Sequence, residues 1–573
     1  MTRKAQGSTG ALLGGALIAA AAAAAYGRSF HVPFVYDDAG SIVNNPSLRS
    51  LSLWSVLKPL PGGMPVSGRP VLNLSFALNY ALSGLNVWSY HALNLAIHIL
   101  AGMTLFGIVR RFWPAWLALM IALIWTLHPL QTESVVYLSQ RAESLMGLFY
   151  LLTLYGFVRA VEAPGENRFL VLSVIFCLLG MATKEVMVSA PLVVFLYDRT
   201  FVAGTFRDAW RRRRGYYLAL ASTWLVLLGL VGATGSRGGT AGFGLAVTPW
   251  AYALIQCQAV VHYLRLAVWP HPLVFYYGRP GGTAAVGFDT AFLLLLLIGS
   301  FYLLRRPERT PPDGSAGRGL GFLGACFLIV LAPSSSVVPV GTEMIAEHRM
   351  YLSLAAAVVA LVGGLWILIA RLAGARSLIF CICLFGAAAA GLGFMTDRRI
   401  ADYRSDLALW TDTAAKAPGN ATVRANLGSA LLRAGDPAAA AREGREAVRL
   451  NPDSARAHSG LADALAQTGD LPGAVGHYEA AVRLNPGLFE ARNNLGVALA
   501  QSGRLPEALA QLQAAVRLAP DFFDAHNNLA LVLAKGGDLA GAEREFSAAQ
   551  RLRPDDAGVR GRLQRVRQLL QNR

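Results

Sequence analysis

Charged residues stand directly beside long apolar segments at four places in the first two thirds of the chain. They are Asp37 and Asp38, Arg141 and Glu143, Lys184 and Glu185, and Glu347, His348 and Arg349. Carboxylates can exchange protons with a bound group, and guanidinium groups suit phosphate geometry. Charges at a membrane edge are costly and mark candidate functional sites. The structural alternatives are ion pairs that lock helices together and, for the acidic pair, a helix cap.

Three histidines, His91, His98 and His128, lie on or near apolar segments. No tight cluster of histidines and carboxylates accompanies them, so we predict packing or hydrogen-bonding roles and no metal site. Asn94 and His98 are one helical turn apart and share a helix face. Because His91 lies three residues before Asn94, all three are expected to line one polar seam.

The apolar segments themselves predict a membrane domain. The chain is 54% apolar and 15% charged, and the apolar blocks end near residue 396. A spanning helix needs about 20 apolar residues. We predict an all-α, polytopic domain over residues 1–396, with about eleven spans. The candidates are 9–27, 91–109, 113–129, 142–160, 168–183, 186–199, 216–234, 288–304, 320–333, 349–370 and 378–395.

The distribution of arginines predicts the orientation of these spans. Cytoplasmic loops carry excess Lys and Arg, which also accounts for the net charge of +17 without invoking nucleic acid. With a cytoplasmic N-terminus, Arg110, Arg111 and the run 211–214 fall inside. The polar residues of segment 250–269 lead us to predict a re-entrant or interfacial helix, which keeps Arg305, Arg306 and Arg309 inside. The four charged groups and the C-terminal tail then share the external face.

The tail, residues 397–573, carries a repeat of 34 residues, which is the period of tetratricopeptide repeats (TPRs). Prolines mark this period at Pro418, Pro452, Pro486, Pro520 and Pro554. Columns of leucine and of small residues repeat in the same register. We predict a half-repeat around Trp410, about four full repeats, and a capping helix over Val559 to Leu570.

One column of the repeats contains Asn426, Asn494 and Asn528, with Gly460 in the fourth place. It resembles the asparagine ladder of the O-GlcNAc transferase TPR domain, and this resemblance implies binding of an extended peptide. An amide can donate to and accept from a peptide backbone. The alternative is that asparagine is simply common before Leu-Gly in this repeat.

Five stretches of the membrane part resemble the transmembrane-and-TPR-containing O-mannosyltransferases. They are GRPVLNLSFALNY, SYHALNLAIHIL, LHPLQTESVVYLSQRAESL, ATKEVMVSAP and AEHRMYLSL, and the acidic pair lies in FVYDDAGSIVNNP. The resemblance implies a GT-C glycosyltransferase fold and an acidic pair in the first external loop, in which Asp37 or Asp38 is the base. It also implies a polyprenyl-phosphate hexose donor, with mannose as the hexose.

A departing polyprenyl phosphate needs cations, because charge builds on its oxygen as the glycosidic bond breaks. We therefore predict that Arg141, Lys184 and Arg349 bind the donor phosphate. Further residues are expected to support the site: Arg69, His91, Asn94, His98, His128, Glu133, Glu143, Glu185, Glu347 and His348.

The sequence thus predicts an inverting transferase that moves a hexose to a protein Ser or Thr hydroxyl, with no certain cofactor. The partners expected are the lipid-linked donor, membrane lipid and a protein or peptide acceptor, without nucleic acid. Two alternatives remain: a transferase with a glycan or lipid acceptor, and a non-enzymatic TPR scaffold. The Ala- and Arg-rich composition indicates a bacterial inner membrane, with the active site and the repeats on the periplasmic side.

Overall fold

A computed structural model describes residues 2–52, 66–234, 247–278, 286–306, 313–336, 339 and 343–572. Within these ranges the regular structure is helical, and no strand is present. The chain forms two compact units, Met1–Leu409 and Trp410–Arg573. The boundary at 396/397 that the composition suggested stays a prediction.

The described part of the first unit contains fourteen α-helices. They are α1 (Thr2–Tyr26), α2 (Pro70–Ser83), α3 (Trp88–Val109), α4 (Ala115–Thr126), α5 (Thr132–Val136), α6 (Arg141–Glu162), α7 (Arg168–Met181), α8 (Ala190–Asp198), α9 (Phe206–Ala233), α10 (Pro249–Val268), α11 (Val286–Arg305), α12 (Asp313–Leu331), α13 (Met350–Ala373) and α14 (Ser377–Ile400).

The helices confirm a polytopic membrane architecture. In the described ranges, eight helices are long and apolar enough to cross a membrane. A ninth span results if Ala115–Thr126 and Pro129–Val136, bent by 52°, form one crossing. The candidates at 168–183 and 320–333 correspond to shorter apolar helices, Arg168–Met181 and Gly317–Leu331. All eleven predicted segments are therefore helical, but three of them are bent or short.

Charges divide the first unit into two ends. At one end, Arg111 pairs with Glu162 at 2.6 Å, which joins the C-terminal ends of α3 and α6. At the same end, Arg213 pairs with Asp198 at 2.9 Å, where α8 stops. Since α6 begins at Arg141 and ends at Glu162, the residues around Arg141 lie at the opposite end. The four charged groups found in the sequence all belong to that opposite end, which we call the site end.

Helix α10 is tied to the segment between α12 and α13. The Tyr252 hydroxyl donates to the Ser334 carbonyl at 3.0 Å, and Gln256 Nε2 donates to the Met344 carbonyl at 2.9 Å. The Ala346 amide donates to the Tyr263 hydroxyl at 2.9 Å. Such contacts are compatible with a spanning and with an interfacial helix, so the re-entrant or interfacial placement stays a prediction. Of the arginines used in that argument, Arg309 lies outside the described residues.

The second unit is a series of helix pairs with the predicted 34-residue register. Helix α15 (Asp406–Lys416) leads into it. Four pairs and a final helix follow: α16 (Ala421–Arg433), α17 (Pro437–Leu450), α18 (Ala455–Gln467), α19 (Leu471–Leu484), α20 (Phe489–Gln501), α21 (Leu505–Leu518), α22 (Phe523–Lys535), α23 (Leu539–Leu552) and α24 (Ala557–Gln571).

Glycine makes the turn inside each of these pairs. Gly435, Gly469, Gly503 and Gly537 all have positive φ, between 81° and 88°. After α16, the Asp436 amide donates to the Leu431 carbonyl at 3.0 Å, which closes the helix end in a Schellman turn. An L side chain is strained in this conformation, so the recurring glycine fixes where each first helix stops.

Candidate functional site

The acidic pair follows a strained turn. Tyr36 has φ of +48°, a conformation that non-glycine residues rarely adopt. Asp38 is fully buried and accepts from the Ser139 amide at 2.7 Å, the Ser139 hydroxyl at 2.5 Å and the Val35 amide at 3.1 Å. Burial raises the pKa of Asp38 to about 7, against the opposing effect of these donors. Asp38 therefore anchors the first loop to the segment that precedes α6.

Asp37 is in a different environment. It is partly exposed, and its amide donates to the Tyr137 hydroxyl at 3.2 Å. Its carboxylate is close enough to Glu343 to help raise the pKa of Glu343, which reaches about 7 mainly because of burial. Of the two adjacent carboxylates, Asp37 is the one that solvent or a ligand can reach.

A network of ion pairs fills the site end. Glu133 accepts from His348 Nδ1 at 2.8 Å and from the His348 amide at 3.0 Å. Lys184 Nζ lies 2.6 Å from Glu143, and both side chains are buried. Residues that are far apart in sequence therefore meet at the site end.

The Glu347 and Arg349 side chains tie the segment before α13 to its surroundings. Glu347 accepts from the Val274 amide at 2.5 Å and from the Tyr277 hydroxyl at 2.6 Å. Arg349 donates to Gln256 at 3.3 Å and to the Met344 and Glu343 carbonyls at 3.2 and 2.5 Å. Much of the hydrogen-bonding capacity of Arg349 is thus used by its own segment and by α10.

Arg141 is completely buried, and its fork donates to protein oxygens. The acceptors are Asn94 Oδ1 at 2.5 Å, Asn79 Oδ1 at 2.7 Å, Ser75 Oγ at 3.0 Å and the Tyr90 carbonyl at 2.9 Å. These acceptors lie on or beside α2 and α3. The Arg141 guanidinium is thus held by protein acceptors, and its predicted contact with a donor phosphate stays a prediction.

The predicted polar seam on α3 is buried, and each of its members has a partner. His91 Nε2 lies 2.9 Å from the Val32 carbonyl, and Asn94 Nδ2 donates to the Val135 carbonyl at 2.9 Å. His98 contacts the Tyr351 hydroxyl and the Thr126 carbonyl, both at 2.9 Å. His128 Nε2 lies 3.2 Å from the Ala267 carbonyl. The four side chains hold α3 and the break after α4 against neighbouring segments.

A cleft opens beside this network. Its empty volume, which includes space open to solvent, is about 240 Å³. One wall is polar and contains Ser67, Arg69, Lys184 and Glu185, with Arg69 3.6 Å from Glu185. The opposite wall is formed by α9, with Leu227, Leu230, Val231 and Thr234. The cleft is therefore lined by paired charges at one side, since Arg69 lies beside Glu185 and Lys184 beside Glu143, and by apolar side chains at the other.

On the second unit, two of the three asparagines predicted to bind a peptide belong to a longer hydrogen-bonded chain. Asn528 donates to Asn493, Asn493 to Asn494, and Asn494 to Asp463, each at 3.0 Å. Burial raises the pKa of Asp463, which also accepts from Tyr478 at 2.5 Å. An amide has two N–H donors, so Asn494 and Asn528 each retain one beyond this chain. Asn426 is not in the chain, and its buried Nδ2 has no hydrogen-bond partner in the described residues.

Comparison with known families gives two matches along the chain. Residues 65–231 match the Dolichyl-phosphate-mannose-protein mannosyltransferase family. Four overlapping stretches between residues 404 and 557 match the Tetratricopeptide repeat family. The chain is thus similar to mannosyltransferases in part of its first unit and to TPR proteins in its second.

Curated relatives of this family align with limited parts of both sequences. Protein O-mannosyl-transferase TMTC1 of Mus musculus is 32% identical over 203 residues, covering 32% of this chain and 22% of that protein. TMTC3 of Mus musculus is 30% identical, covering 33% and 21%. Tmtc2 of Drosophila melanogaster is 29% identical, covering 43% and 28%. The matches thus span between 21% and 28% of these relatives' lengths. Among solved structures, MamA is 21% identical, with a TM-score of 0.26, over 28% of this chain and 96% of that chain.

The mannosyltransferase match encloses the polar wall of the cleft but not the whole site end. Arg69, Arg141 and Lys184 lie inside residues 65–231, whereas Asp37 precedes the match and Arg349 follows it. The structure brings the segment with Asp37, the matched region and the segment with Arg349 together in the first unit. In the described residues it also adds side chains that the sequence argument missed, namely Tyr137, Ser139 and Glu343. Glu343 lies four residues before Glu347, and this spacing is the one signal in the sequence that could have identified it.

Proposed function

We propose that this chain is an inverting glycosyltransferase that moves a hexose, mannose by family likeness, from a polyprenyl phosphate to a Ser or Thr hydroxyl of a protein. The observation that carries the proposal is that the partly exposed Asp37 and the cleft with Arg69 and Lys184 belong to the same end of the bundle. Glu343, close to Asp37, and His348, close to both Glu343 and Lys184, lie between them. The match of residues 65–231 to mannosyltransferases supports transfer of mannose as the reaction.

Asp37 is the base in this proposal, and Asp38 positions it. Asp38 already accepts three hydrogen bonds from Ser139 and Val35 and is sealed from solvent. Asp37 takes the proton of the acceptor hydroxyl as that oxygen attacks the anomeric carbon. The bond from this carbon to the phosphate oxygen breaks on the opposite face, so the configuration inverts and the polyprenyl phosphate leaves.

The cleft is the proposed place for the departing phosphate. Arg69 and Lys184 supply positive charge, and the apolar side chains of α9 offer a surface for the first isoprene units. Burial lowers the pKa of Arg69 to about 10, which still leaves the guanidinium charged at neutral pH. Arg349, which lies near Glu343, contributes further positive charge. Arg69 therefore takes the place that the sequence argument gave to Arg141.

The orientation of the site end is also part of the proposal. Arginines concentrate at the end opposite the site, where Arg111 and Arg213 lie. Cytoplasmic ends of spans carry excess Lys and Arg, which supports an external position of the site end. In a bacterial inner membrane this face is periplasmic, and the repeats, which follow α14, would be exported to it. There the asparagine column would hold a protein acceptor.

The test uses purified protein, a synthetic polyprenyl-phosphate mannose and Ser/Thr-rich peptides. Asp37→Asn should lower transfer by about 10²–10⁴-fold, the usual worth of a positioned base. Asp208→Asn, at the opposite end of the first unit, is the matched control and should transfer normally. Arg69→Gln and Lys184→Gln should raise the donor KM. Equal peptide transfer by Asp37→Asn and the wild type would exclude Asp37 as the base, and transfer to a glycan in place of peptide would replace the acceptor class.

A further inference from the structure

Each TPR repeat contains a side-chain clasp between its two helices, made by residues 19 positions apart. In three repeats a side chain that donates a hydrogen bond pairs with one that accepts it. Arg424 pairs with Glu443 at 2.8 Å, Arg492 with Gln511 at 3.0 Å, and His526 with Glu545 at 2.6 Å. In the second repeat the same two positions hold His458 and His477, whose Nδ1 atoms are 3.0 Å apart.

The protonation of His458 follows from its other ring nitrogen. His458 Nε2 lies 3.0 Å from the Pro452 carbonyl, which can only accept. Nε2 must therefore carry the proton, and Nδ1 presents a lone pair to His477. A backbone carbonyl on the remote nitrogen is the usual support of a metal-binding histidine, because it fixes the tautomer and the ring orientation. The clasp residue is thus oriented as a ligand before any metal arrives.

We propose that His458 and His477 form a binding site for a divalent transition-metal ion, with Cu²⁺ and Ni²⁺ favoured. A metal–nitrogen bond is about 2.0–2.1 Å, so two nitrogens 3.0 Å apart subtend about 95° at the metal. This angle suits square-planar or octahedral coordination, the geometries of Cu²⁺ and Ni²⁺ with nitrogen and oxygen ligands. Tetrahedral Zn²⁺ would need the nitrogens about 3.3 Å apart.

The two histidine rings are accessible to solvent. Both side chains are partly exposed, so water can complete the coordination. Asp470 lies near His477 and opposes the positive charge of Arg445 there. A metal bound at both Nδ1 atoms leaves the proton of each ring on Nε2.

The site differs from a conventional metal centre in its small number of protein ligands. In the ranges that the structure describes, no three His, Cys, Asp or Glu residues gather in a metal-binding arrangement. The pair at His458 and His477 would supply two ligands, and solvent or a side chain of a bound partner the others. This inference is independent of the proposed transferase activity, since it concerns the second unit alone.

A double substitution separates metal binding from the clasp itself. His458→Arg with His477→Glu rebuilds the Arg–Glu pair of the first repeat, Arg424 with Glu443, so the repeat should stay folded. Full-length protein without a polyhistidine tag is dialysed against CuCl₂ or NiCl₂, and bound metal is measured. Copper-loaded protein is also examined by electron paramagnetic resonance for coupling to two imidazole nitrogens.

We expect the wild type to bind one more equivalent of metal than the double variant and to show the two-nitrogen signal. His526→Gln, which alters the His–Glu clasp of the fourth repeat, should keep both. Helicity and thermal unfolding of the double variant confirm that it is folded. Equal metal content in the wild type and the double variant, at zero or at any other level, would overturn the site.

Discussion

Arg141 could bind the donor phosphate or position neighbouring segments, and the sequence alone does not distinguish these two roles. Its guanidinium serves Asn94, Asn79, Ser75 and the Tyr90 carbonyl, and a lysine cannot reproduce that fork. Each buried acceptor left unpaired costs about 1–3 kcal/mol. Arg141→Lys should therefore lower thermal stability by about 3 kcal/mol or more, measured by unfolding in detergent.

The donor KM of the folded fraction distinguishes the two roles of Arg141. A positioning residue should leave this KM near the wild-type value, whereas Lys184→Gln should raise it. Arg110→Lys, at the opposite end of α3, is the control for stability and should unfold like the wild type. Normal stability of Arg141→Lys together with a raised donor KM would return Arg141 to the phosphate site.

Asp38 gives a pH dependence of stability with a definite sign. Burial raises its pKa to about 7 in the folded protein, against about 3.9 in an unfolded chain. Between about pH 4 and 7 the folded state holds a proton that the unfolded state has lost. The free energy of unfolding therefore falls as pH rises, by at most about 1.4 kcal/mol per pH unit from this group.

Asp38→Asn removes that titration, so its unfolding midpoint should depend less on pH across this window than the wild-type midpoint. Glu343, whose pKa burial also raises to about 7, leaves a residual slope. Asp208→Asn should keep the full wild-type slope. A wild-type slope in Asp38→Asn would contradict a buried, protonated Asp38.

At the residue scale, the sequence predicted which charges matter but not their assignments. Asp37 and Asp38 are adjacent and chemically identical, and their difference depends on Ser139, about a hundred positions away. Arg141 was predicted as a phosphate ligand, and the sequence did not reveal the four acceptors that α2 and α3 bring to it. Local patterns carry no information on such long-range partners, so these assignments required the folded structure.

At the element scale, α6 and α13 pack closely because of one glycine. A Cβ at Gly147 would lie 2.6 Å from Cε1 of Tyr351, whose hydroxyl contacts His98. Gly147→Ala should destabilise the protein by about 1–3 kcal/mol through overpacking. Gly364→Ala, on α13 with nothing within 4 Å, is the matched control. Similar thermal unfolding of both variants would contradict this close approach.

Element boundaries were predictable where a repeat or a proline fixes them. The 34-residue period located all four helix pairs of the second unit, because glycine and proline recur in step with it. The segment 113–129 was predicted as one span, and its helix runs over Ala115–Thr126, after which the chain bends by 52° into Pro129–Val136. A helical conformation is unfavourable for a residue that precedes proline. The break after α4 allows Glu133 to lie beside His348.

At the scale of the whole molecule, the repeats should act on the acceptor and not on the donor. Deleting 420–573 removes α16 to α24 and leaves the cleft of the first unit intact. If the asparagine column holds the acceptor, the acceptor KM should rise on the order of tenfold or more, because a tethered second contact raises the effective concentration. The donor KM should change little.

Peptide length provides the internal control for this deletion. A long peptide can occupy the site and the repeats together, whereas a short one can reach only the site, so only the long peptide should respond. In the full-length chain, joint Asn426→Ala, Asn494→Ala and Asn528→Ala substitutions should reproduce part of the KM increase. If the long and short peptides respond equally, or the acceptor KM does not move, the repeats serve a partner other than the acceptor.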